Sequence, residues 1–320
     1  MNEQGLLQVK NLKKYFKTPH GMLHAVDDVT FSIPKGQTLG VVGESGCGKS
    51  TLGRTILRLI EPTSGSVLFN GEDVLSFNKA KLKKARTKMQ IIFQDPYASL
   101  NPRMTVSQAI KAPLMIQGIY KSSQREEIQK KVNEMMDLVG LASRFTNSYP
   151  HELDGGRRQR IGIARALVLN PEFIVCDEPV SALDVSIQAQ ILNLMQDLQE
   201  QLKLTYMFIT HDLSVVKHLS NHIIVMYLGQ LVEKASAKGL FINPLHPYTQ
   251  ALLSAIPIPD PHNHMKRKIL HGELTSPVNP TPGCRFAKRC DSATEECFNQ
   301  SPKLIEIEPD HFVSCHHIKR

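Results

Sequence analysis

The sequence predicts an α/β fold in which helices cover a parallel sheet. A strand-like apolar run, a glycine-rich loop and a helix-like segment follow one another between residues 38 and 60. From residue 157 onwards, apolar strands alternate with helical patterns, as in chains whose parallel strands are joined by helical crossovers. With 320 residues, 41% of them hydrophobic, the chain is long enough for one large or two modest domains with a full core.

Local patterns of apolar and turn residues place the other elements. Period-two alternation over residues 6–36 predicts a small antiparallel sheet that leads into the loop, and residues 66–70 predict another strand. Helical spacing predicts helices within 105–140, where Pro113 is expected to kink or end the first one. The remaining predicted elements are a helix at 157–169, strands at 173–176, 206–209 and 223–226, and a helix at 187–201.

Residues 43–51 form the pattern G-x-x-x-x-G-K-[ST], which cradles phosphates. Glycines allow the backbone to curl its N–H groups around an anion, the lysine supplies positive charge, and the serine hydroxyl suits Mg²⁺. The strand before the loop and the helix from Lys49 to Ile60 favour this interpretation over a chance glycine-rich turn. The predicted ATP-binding residues here are Gly43, Glu44, Ser45, Gly46, Cys47, Gly48, Lys49, Ser50 and Thr51.

Two acids follow an apolar strand at residues 173–176. Asp177 is predicted to hold Mg²⁺, and Glu178 to orient or deprotonate an attacking water. The alternative, a helix-capping acidic pair, fits poorly with a position at the end of a buried strand.

Composition restricts the partners. The net charge is +8, but the basic residues are scattered and the chain has no Trp, so no nucleic-acid partner is expected. The amino terminus resembles no secretion signal, and no apolar run approaches the ~20 residues of a spanning helix. We therefore expect a cytoplasmic protein, peripheral to the membrane through a partner, whose six cysteines form no disulfide framework.

Further motifs resemble those of ATP-binding cassette (ABC) ATPases. The segment Leu153–Arg157, reading Leu-Asp-Gly-Gly-Arg, resembles the family's signature motif. Gln94 resembles its Q-loop glutamine, Ser181–Asp184 its D-loop and His211 its switch histidine. Tyr15 resembles the aromatic residue that stacks on adenine, although alone it could equally be a core residue. These motifs occur in the family's order over residues ~7–235.

The resemblance implies a P-loop NTPase core of ABC type with an antiparallel β subdomain and a helical subdomain. It further implies a head-to-tail dimer, homomeric or heteromeric, with ATP held between the phosphate loop of one subunit and Asp154, Gly155 and Gly156 of the other. His211 would contact the γ-phosphate and act with Glu178 in catalysis. Mg²⁺ would be held by Ser50, Gln94 and Asp177. The helical segment would contact a membrane subunit.

The signature departs from the usual family pattern, because Asp154 and Arg157 stand where Ser and Gln are common. A carboxylate ~4 Å from a phosphate oxygen would repel it by about 4 kcal/mol at an effective dielectric constant of about 20. Arg157 and Arg158 could offset most of this repulsion. Alternatively, Asp154 could cap its own helix. A dimer has two shared ATP sites. We expect the site that uses this chain's signature segment to hydrolyse ATP more slowly than the other site, and this difference between the two sites favours a heteromer.

Cys284, Cys290, Cys297 and Cys315 fit neither the usual zinc spacing nor that of ferredoxins. Nearby basic residues (Arg285, Lys288 and Arg289) would suit thiolates and an anionic cluster. The tail resembles the carboxyl-terminal extension of peptide-permease ATPases, which in some members holds an iron–sulfur cluster. A [4Fe–4S] cluster is therefore expected, with zinc, to which His311, His316 or His317 could contribute, or free thiols as alternatives.

The sequence thus predicts an ABC nucleotide-binding domain over residues 1–256, with a helical subdomain at about 96–160, and a cysteine-rich extension over 257–320 that begins with a linker. The expected function is ATP hydrolysis that drives import of dipeptides or oligopeptides, at the cytoplasmic face, with integral-membrane permease subunits. Alternatives are an importer of nickel or another solute, a soluble ABC ATPase outside transport, and a redox-sensing regulator.

Overall fold

A computed structural model of the chain describes residues 5–121, 123–256, 268, 270, 272 and 276–318. Within this part the strands are β1 (Leu7–Thr18), β2 (Gly21–Ile33), β3 (Thr38–Val42), β4 (Ser64–Phe69), β5 (Glu72–Asp73), β6 (Met89–Ile92), β7 (Phe173–Asp177), β8 (Thr205–Ile209), β9 (His222–Tyr227), β10 (Gln230–Ser236), β11 (Ile305–Glu308) and β12 (His311–Val313). The α-helices are α1 (Lys49–Ile56), α2 (Lys79–Lys88), α3 (Val106–Gln117), α4 (Arg125–Leu138), α5 (Gly155–Leu167), α6 (Val185–Leu202), α7 (Leu213–Leu219), α8 (Ala237–Ile242), α9 (Pro247–Ser254) and α10 (Glu295–Asn299).

The chain forms two compact units. The first comprises Met1–Ile33, Thr38–Leu75 and Phe208–Arg320, and the second comprises Pro34–Gln37 and Ser76–Met207. The predicted linker lies almost wholly at residues 257–267, outside the described residues, so the predicted domain boundary at residue 256 stays a prediction.

The first unit contains the predicted antiparallel subdomain. β1 pairs antiparallel with both β2 and β4, in the strand order β2-β1-β4-β5. A second set of strands in this unit has the order β11-β12-β10-β9-β3. β3 runs parallel to β9, with Val41 opposite Ile224, and all five residues of β3 are buried, which explains its continuous apolar run.

The carboxyl-terminal segment joins this second set of strands. β12 pairs antiparallel with β10, placing Val313 opposite Glu233, and β11 pairs with β12. The Glu233 carboxylate is fully buried and accepts hydrogen bonds from the Leu245 and His246 amides at 2.7 and 3.0 Å. Its partner His311 comes from β12, so the end of the chain is anchored by backbone pairing and by a buried polar contact of 2.8 Å.

The second unit holds the helical segment and the strand that leads to the acidic pair. β6 runs parallel to β7, with Met89 opposite Phe173. α3 begins with a capping box in which the side chains of Thr105 and Gln108 each accept a hydrogen bond from the other residue's backbone N–H. Of the two expectations for Pro113, a kink or an end of this helix, an end at Pro113 is wrong, since α3 continues to Gln117 and has Gly118 in the left-handed conformation as its C-cap.

Two other predicted helix boundaries shift. α1 ends at Ile56 rather than Ile60, and α5 spans Gly155–Leu167 rather than 157–169. Among the described residues, no helix is both long and apolar enough to cross a bilayer.

Candidate active site

The predicted phosphate loop is formed between β3 and α1 in the first unit. Gly48 is the N-cap of α1, with φ of 103°, and Gly43 has φ of 149°, both outside the range that L-residues usually adopt. A Cβ at Gly43 would lie 2.2 Å from the Met226 carbonyl oxygen, and one at Gly48 would lie 2.0 Å from that of Ala25. These two glycines are therefore required for close backbone approach as well as for conformation.

Lys49 is buried, with 4% of its surface exposed. Its Nζ donates hydrogen bonds to the carbonyl oxygens of Gly43 and Glu44 at 2.7 and 2.9 Å. The ammonium group therefore lies inside the curve of the loop, where the sequence places the charge that attracts phosphate. Cys47 beside it is 1% exposed, and burial raises the pKa of its thiol, which suits its predicted packing role.

Tyr15 lies on β1 in the first unit, in a cluster with the side chains of His24, Asp27 and Arg285. Its ring stacks on His24, with centroids 3.8 Å apart, and its hydroxyl donates to Asp27. Asp27 also contacts His24 Nδ1 at 3.2 Å and pairs with Arg285. Burial opposes ionisation of Asp27, but the hydrogen bonds from Tyr15 and His24 and the positive charge of Arg285 outweigh it and lower the pKa of this carboxyl.

The acidic pair lies at the end of β7 in the second unit. Asp177 is the buried last residue of the strand, and Glu178 follows it with φ of 47°. A non-glycine residue in the left-handed region carries strain, on the order of 1–3 kcal/mol, that clusters at functional sites. Gln94 Nε2 donates to Glu178 Oε2 at 2.9 Å. The structure thus brings together two residues that the sequence predicted for the site from positions 84 apart.

The signature segment caps α5. Asp154 Oδ1 accepts from the Arg157 amide at 2.8 Å, and Oδ2 pairs with Arg157 Nη1 at 2.6 Å. Arg158 instead donates to the Pro150 carbonyl, so Arg157 neutralises Asp154 without it. The capping alternative for Asp154 is therefore present, together with one of the two predicted charge offsets.

Gly155 and Gly156 have a packing role that sequence reasoning missed. A Cβ at Gly155 would lie 2.9 Å from the Leu183 side chain, and one at Gly156 would lie 2.7 Å from that of Ile187. Both neighbours belong to the D-loop and to the helix that follows it. A larger residue at either position would require the Leu183 or Ile187 side chain to shift.

The predicted site residues are divided between the two units. Tyr15, the loop at 43–51 and His211, which is exposed, belong to the first unit, whereas Gln94, the signature residues and the acidic pair belong to the second. The predicted magnesium set of Ser50, Gln94 and Asp177 therefore draws on both units and stays a prediction, as does the γ-phosphate contact of His211.

The four carboxyl-terminal thiols influence one another. Burial is the main reason why the pKa of Cys284 is raised to about 11; the hydrogen bond of the Phe286 amide lowers it, and the charges of Cys297, Cys315 and Cys290 add to the rise. Cys297 Sγ lies 3.6 Å from His317 Nε2. Across the described part of the chain, however, no group of three His, Cys, Asp or Glu side chains is arranged to hold a metal ion.

The expectation that basic neighbours favour thiolates is wrong for this arrangement. Arg285 pairs with Asp27, and Arg289 pairs with Glu44. Their charges are neutralised by carboxylates, so burial dominates, and the pKa values of Cys290 and Cys315 are raised as well. His311 and His316 have partners elsewhere, at Glu233 and at the Gln300 carbonyl.

Comparison with known proteins identifies the family. Residues 26–181 match the family model described as ABC transporter, and residues 232–297 match that of the oligopeptide/dipeptide transporter carboxyl-terminal region. The chain is 52% identical over 325 residues to the oligopeptide transport ATP-binding protein AppF of Bacillus subtilis (strain 168), covering 98% of each chain. This chain belongs to the ABC transporter ATP-binding proteins. It is also 53% identical over 314 residues to OppF, an oligopeptide transport ATP-binding protein of the same organism, covering 97% of this ABC protein and 96% of OppF.

Solved structures confirm the fold of this ABC ATPase. The ATP-binding cassette MJ0796, in a dimeric post-hydrolysis state bound to ADP and Pi, matches with a TM-score of 0.66 and 31% identity, covering 72% of this chain and 98% of that one. CbiO1 of Clostridium perfringens, part of an ABC transporter complex, matches with a TM-score of 0.65 and 26% identity over 75% of this chain and 91% of that one. The predicted α/β P-loop core of ABC type is confirmed, and the chain is an ATP-hydrolysing enzyme.

We expect the variant Glu178→Gln to bind ATP but to hydrolyse it at least about 100-fold more slowly, because an amide cannot accept a proton from water. Steady-state phosphate release and equilibrium nucleotide binding, both on the protein assembled with its partners, measure the two effects.

The control is Glu172→Gln, a carboxylate next to the start of β7 that pairs with Lys88. It should leave both quantities near those of the wild type. Hydrolysis at the wild-type rate by Glu178→Gln would remove Glu178 from the catalytic role.

Proposed function

We propose that this ABC ATPase hydrolyses ATP to drive import of dipeptides or oligopeptides through integral-membrane permease subunits, at the cytoplasmic face of the membrane. The observation that carries the peptide assignment is its similarity, along nearly its whole length, to oligopeptide transport ATP-binding proteins. The same similarity favours peptides over nickel or another solute, and a transport role over a soluble ABC ATPase. The carboxyl-terminal family match supports the same choice.

In this proposal the loop at 43–51 holds the phosphates, with Lys49 as its positive charge. The Ser50 hydroxyl, the Gln94 amide oxygen and the Asp177 carboxylate would hold Mg²⁺, since this ion prefers oxygen donors. When bound, Mg²⁺ neutralises negative charge that develops on the phosphates. Tyr15 supports the adenine.

Glu178 is the general base in the proposed mechanism. The hydrogen bond that Gln94 Nε2 donates to Glu178 Oε2, at 2.9 Å, orients the carboxylate that accepts a proton from water in this proposal. The left-handed backbone at Glu178 sets the direction in which its side chain leaves the strand. His211 contacts the γ-phosphate and is the second proposed catalytic residue, beside Glu178.

Two ATPase subunits are proposed to share each nucleotide. Asp154, Gly155 and Gly156 begin α5, and the unpaired N–H groups of a helix amino terminus attract phosphate. The structural neighbour MJ0796 is a dimer in its ADP- and Pi-bound state, which supports this arrangement. We favour a heteromer in vivo because Asp154 brings a carboxylate to the shared site.

A [4Fe–4S] cluster on Cys284, Cys290, Cys297 and Cys315 remains a proposal, with zinc as the alternative. Its support is that the thiols of Cys297 and Cys315 lie near enough to Cys284 and Cys290 for their charges to raise the pKa values of these two thiols. The present side-chain arrangement does not form a metal-binding group, so ligation would require the thiols to reorient and lose their protons.

The functional proposal predicts that ATP hydrolysis per chain falls on dilution as the subunits separate, because neither subunit alone supplies a whole site. It also predicts that peptide uptake by the transporter in vesicles stops with Glu178→Gln. Sedimentation combined with phosphate release, and uptake of a labelled peptide, measure the two outcomes.

Glu172→Gln is again the control and should support uptake. A demonstrably monomeric chain that hydrolyses ATP at the full rate would contradict the shared site. Uptake that survives loss of hydrolysis would contradict the transport role and favour the redox-sensing alternative.

We predict that Asp154→Ser raises turnover in the assembled complex, by up to about 10-fold, because serine also caps helices but carries no charge, so that Arg157, which now pairs with Asp154, can face phosphate instead. Asp154→Asn should behave in the same way. Asp197→Asn, which removes an exposed carboxylate from α6, is the matched control. Unchanged or lower turnover in both Asp154 variants would contradict this prediction.

For the cluster, we predict about four iron and four sulfide per chain in anaerobically purified protein, and loss of both in Cys290→Ser. Cys176→Ala, in buried β7, should keep them. One zinc per chain without sulfide would refute the cluster, and the absence of all three elements would refute both forms of the proposal.

A further inference from the structure

One short turn of the carboxyl-terminal segment reaches two parts of the nucleotide site. We define the arginine turn as residues 284–290, a stretch containing a 3₁₀ turn at Ala287–Arg289. Arg285 and Arg289 extend from it to Asp27 and Glu44. All these residues belong to the first unit, and neither arginine has a role in the mechanism above.

Arg289 holds the phosphate loop. Its Nη1 and Nη2 donate to the two Glu44 carboxylate oxygens at 2.8 and 3.1 Å, a two-pronged geometry that lysine cannot reproduce. The side chains are 9% and 27% exposed, so the pair is partly shielded from water. Without Arg289, the Glu44 carboxylate in the loop that binds a triphosphate would lose its ion-pair partner.

Arg285 orients Tyr15 through Asp27. Its side chain is 7% exposed and pairs with Asp27, which in turn accepts the hydroxyl of Tyr15 and contacts His24. Arg285 also donates to the Leu228 carbonyl. Removing Arg285 would leave the nearly buried Asp27 carboxylate without its arginine partner. Asp27 could then no longer hold Tyr15 in the same orientation.

Phe286 anchors the turn between the two arginines. It is 2% exposed, and its ring packs edge-on against Tyr227, with centroids 5.3 Å apart, and against Tyr248 at 5.5 Å. Tyr248 itself accepts a hydrogen bond from the Glu44 amide at 2.8 Å. The same aromatic cluster thus supports the turn and the phosphate loop, so the position of one is fixed relative to the other.

We propose that the arginine turn is a positioning element for ATP binding. Arg289 neutralises and fixes Glu44 at the triphosphate, and Arg285 fixes Asp27 and thereby Tyr15 at the base. The proposal rests on the proposed roles of the phosphate loop and of Tyr15. In this proposal both arginines act through a carboxylate, Arg285 through Asp27 and Arg289 through Glu44.

The test measures binding of MgATP and of inorganic tripolyphosphate to the purified full chain. Arg289→Gln should raise the Kd of both ligands roughly 10-fold, the scale on which partners of binding residues act. Arg285→Gln should raise the Kd of MgATP by a similar factor and leave that of tripolyphosphate unchanged, because its effect is confined to the base. Lys288→Gln, which removes an exposed charge from the same turn, is the matched control and should change neither.

Two further variants separate positioning from loss of folding. Arg289→Lys keeps the charge but loses the two-pronged contact, so its Kd values should lie between those of the wild type and those of Arg289→Gln. In a Glu44→Gln background, Arg289→Gln should have a clearly smaller effect than in the wild type, since the carboxylate that it neutralises is gone.

Equal effects of Arg289→Gln in the two backgrounds, or binding no weaker than in Lys288→Gln, would overturn the proposal. If Arg289→Gln does not fold, a large loss of affinity in the folded Arg289→Lys protein would overturn the charge argument. A different result would show that the proposed role of the phosphate loop is itself wrong. In that case the wild type would bind MgATP no better than the variant Lys49→Ala.

Discussion

The arrangement of the nucleotide site depends on how closely the backbone approaches itself around the phosphate loop. Gly43 and Gly48 pass so near the carbonyls of Met226 and Ala25 that neither position has room for a side chain. This contact ties the loop to β9 and to β2, two strands from different sheets of the same unit. Lys49 is buried inside the loop, because its two carbonyl partners replace the water that an ammonium group loses on burial.

In the second unit, the catalytic residues are positioned by the end of β7 and the backbone of Glu178. β7 delivers Asp177 and Glu178 in succession, and alternation along a strand would point them to opposite faces. The left-handed backbone of Glu178 interrupts that alternation and brings its carboxylate to Gln94. Close packing of Gly155 and Gly156 on the D-loop region joins the signature segment to the same part of the chain. The catalytic and signature elements of this unit are thus mechanically connected.

The carboxyl-terminal segment is integrated with the ATP-binding elements of the first unit. β12 extends its strands, and the arginine turn places two cations against carboxylates of the nucleotide site. The thiols of Cys284, Cys290 and Cys315 have raised pKa values mainly because they are partly buried, while Arg285 and Arg289 pair with carboxylates instead.

The sequence by itself determined the α/β class, the phosphate loop, the acidic pair and the family, because these depend on local spacing and on short motifs. It also placed most helices and strands, apart from such boundaries as the end of α1 and the passage of α3 through Pro113. The tertiary structure alone decided the pairing of Arg289 with Glu44, 245 residues away, and of Arg285 with Asp27. No local pattern encodes such pairs, since they exist only after strand pairing and aromatic packing have brought distant segments together.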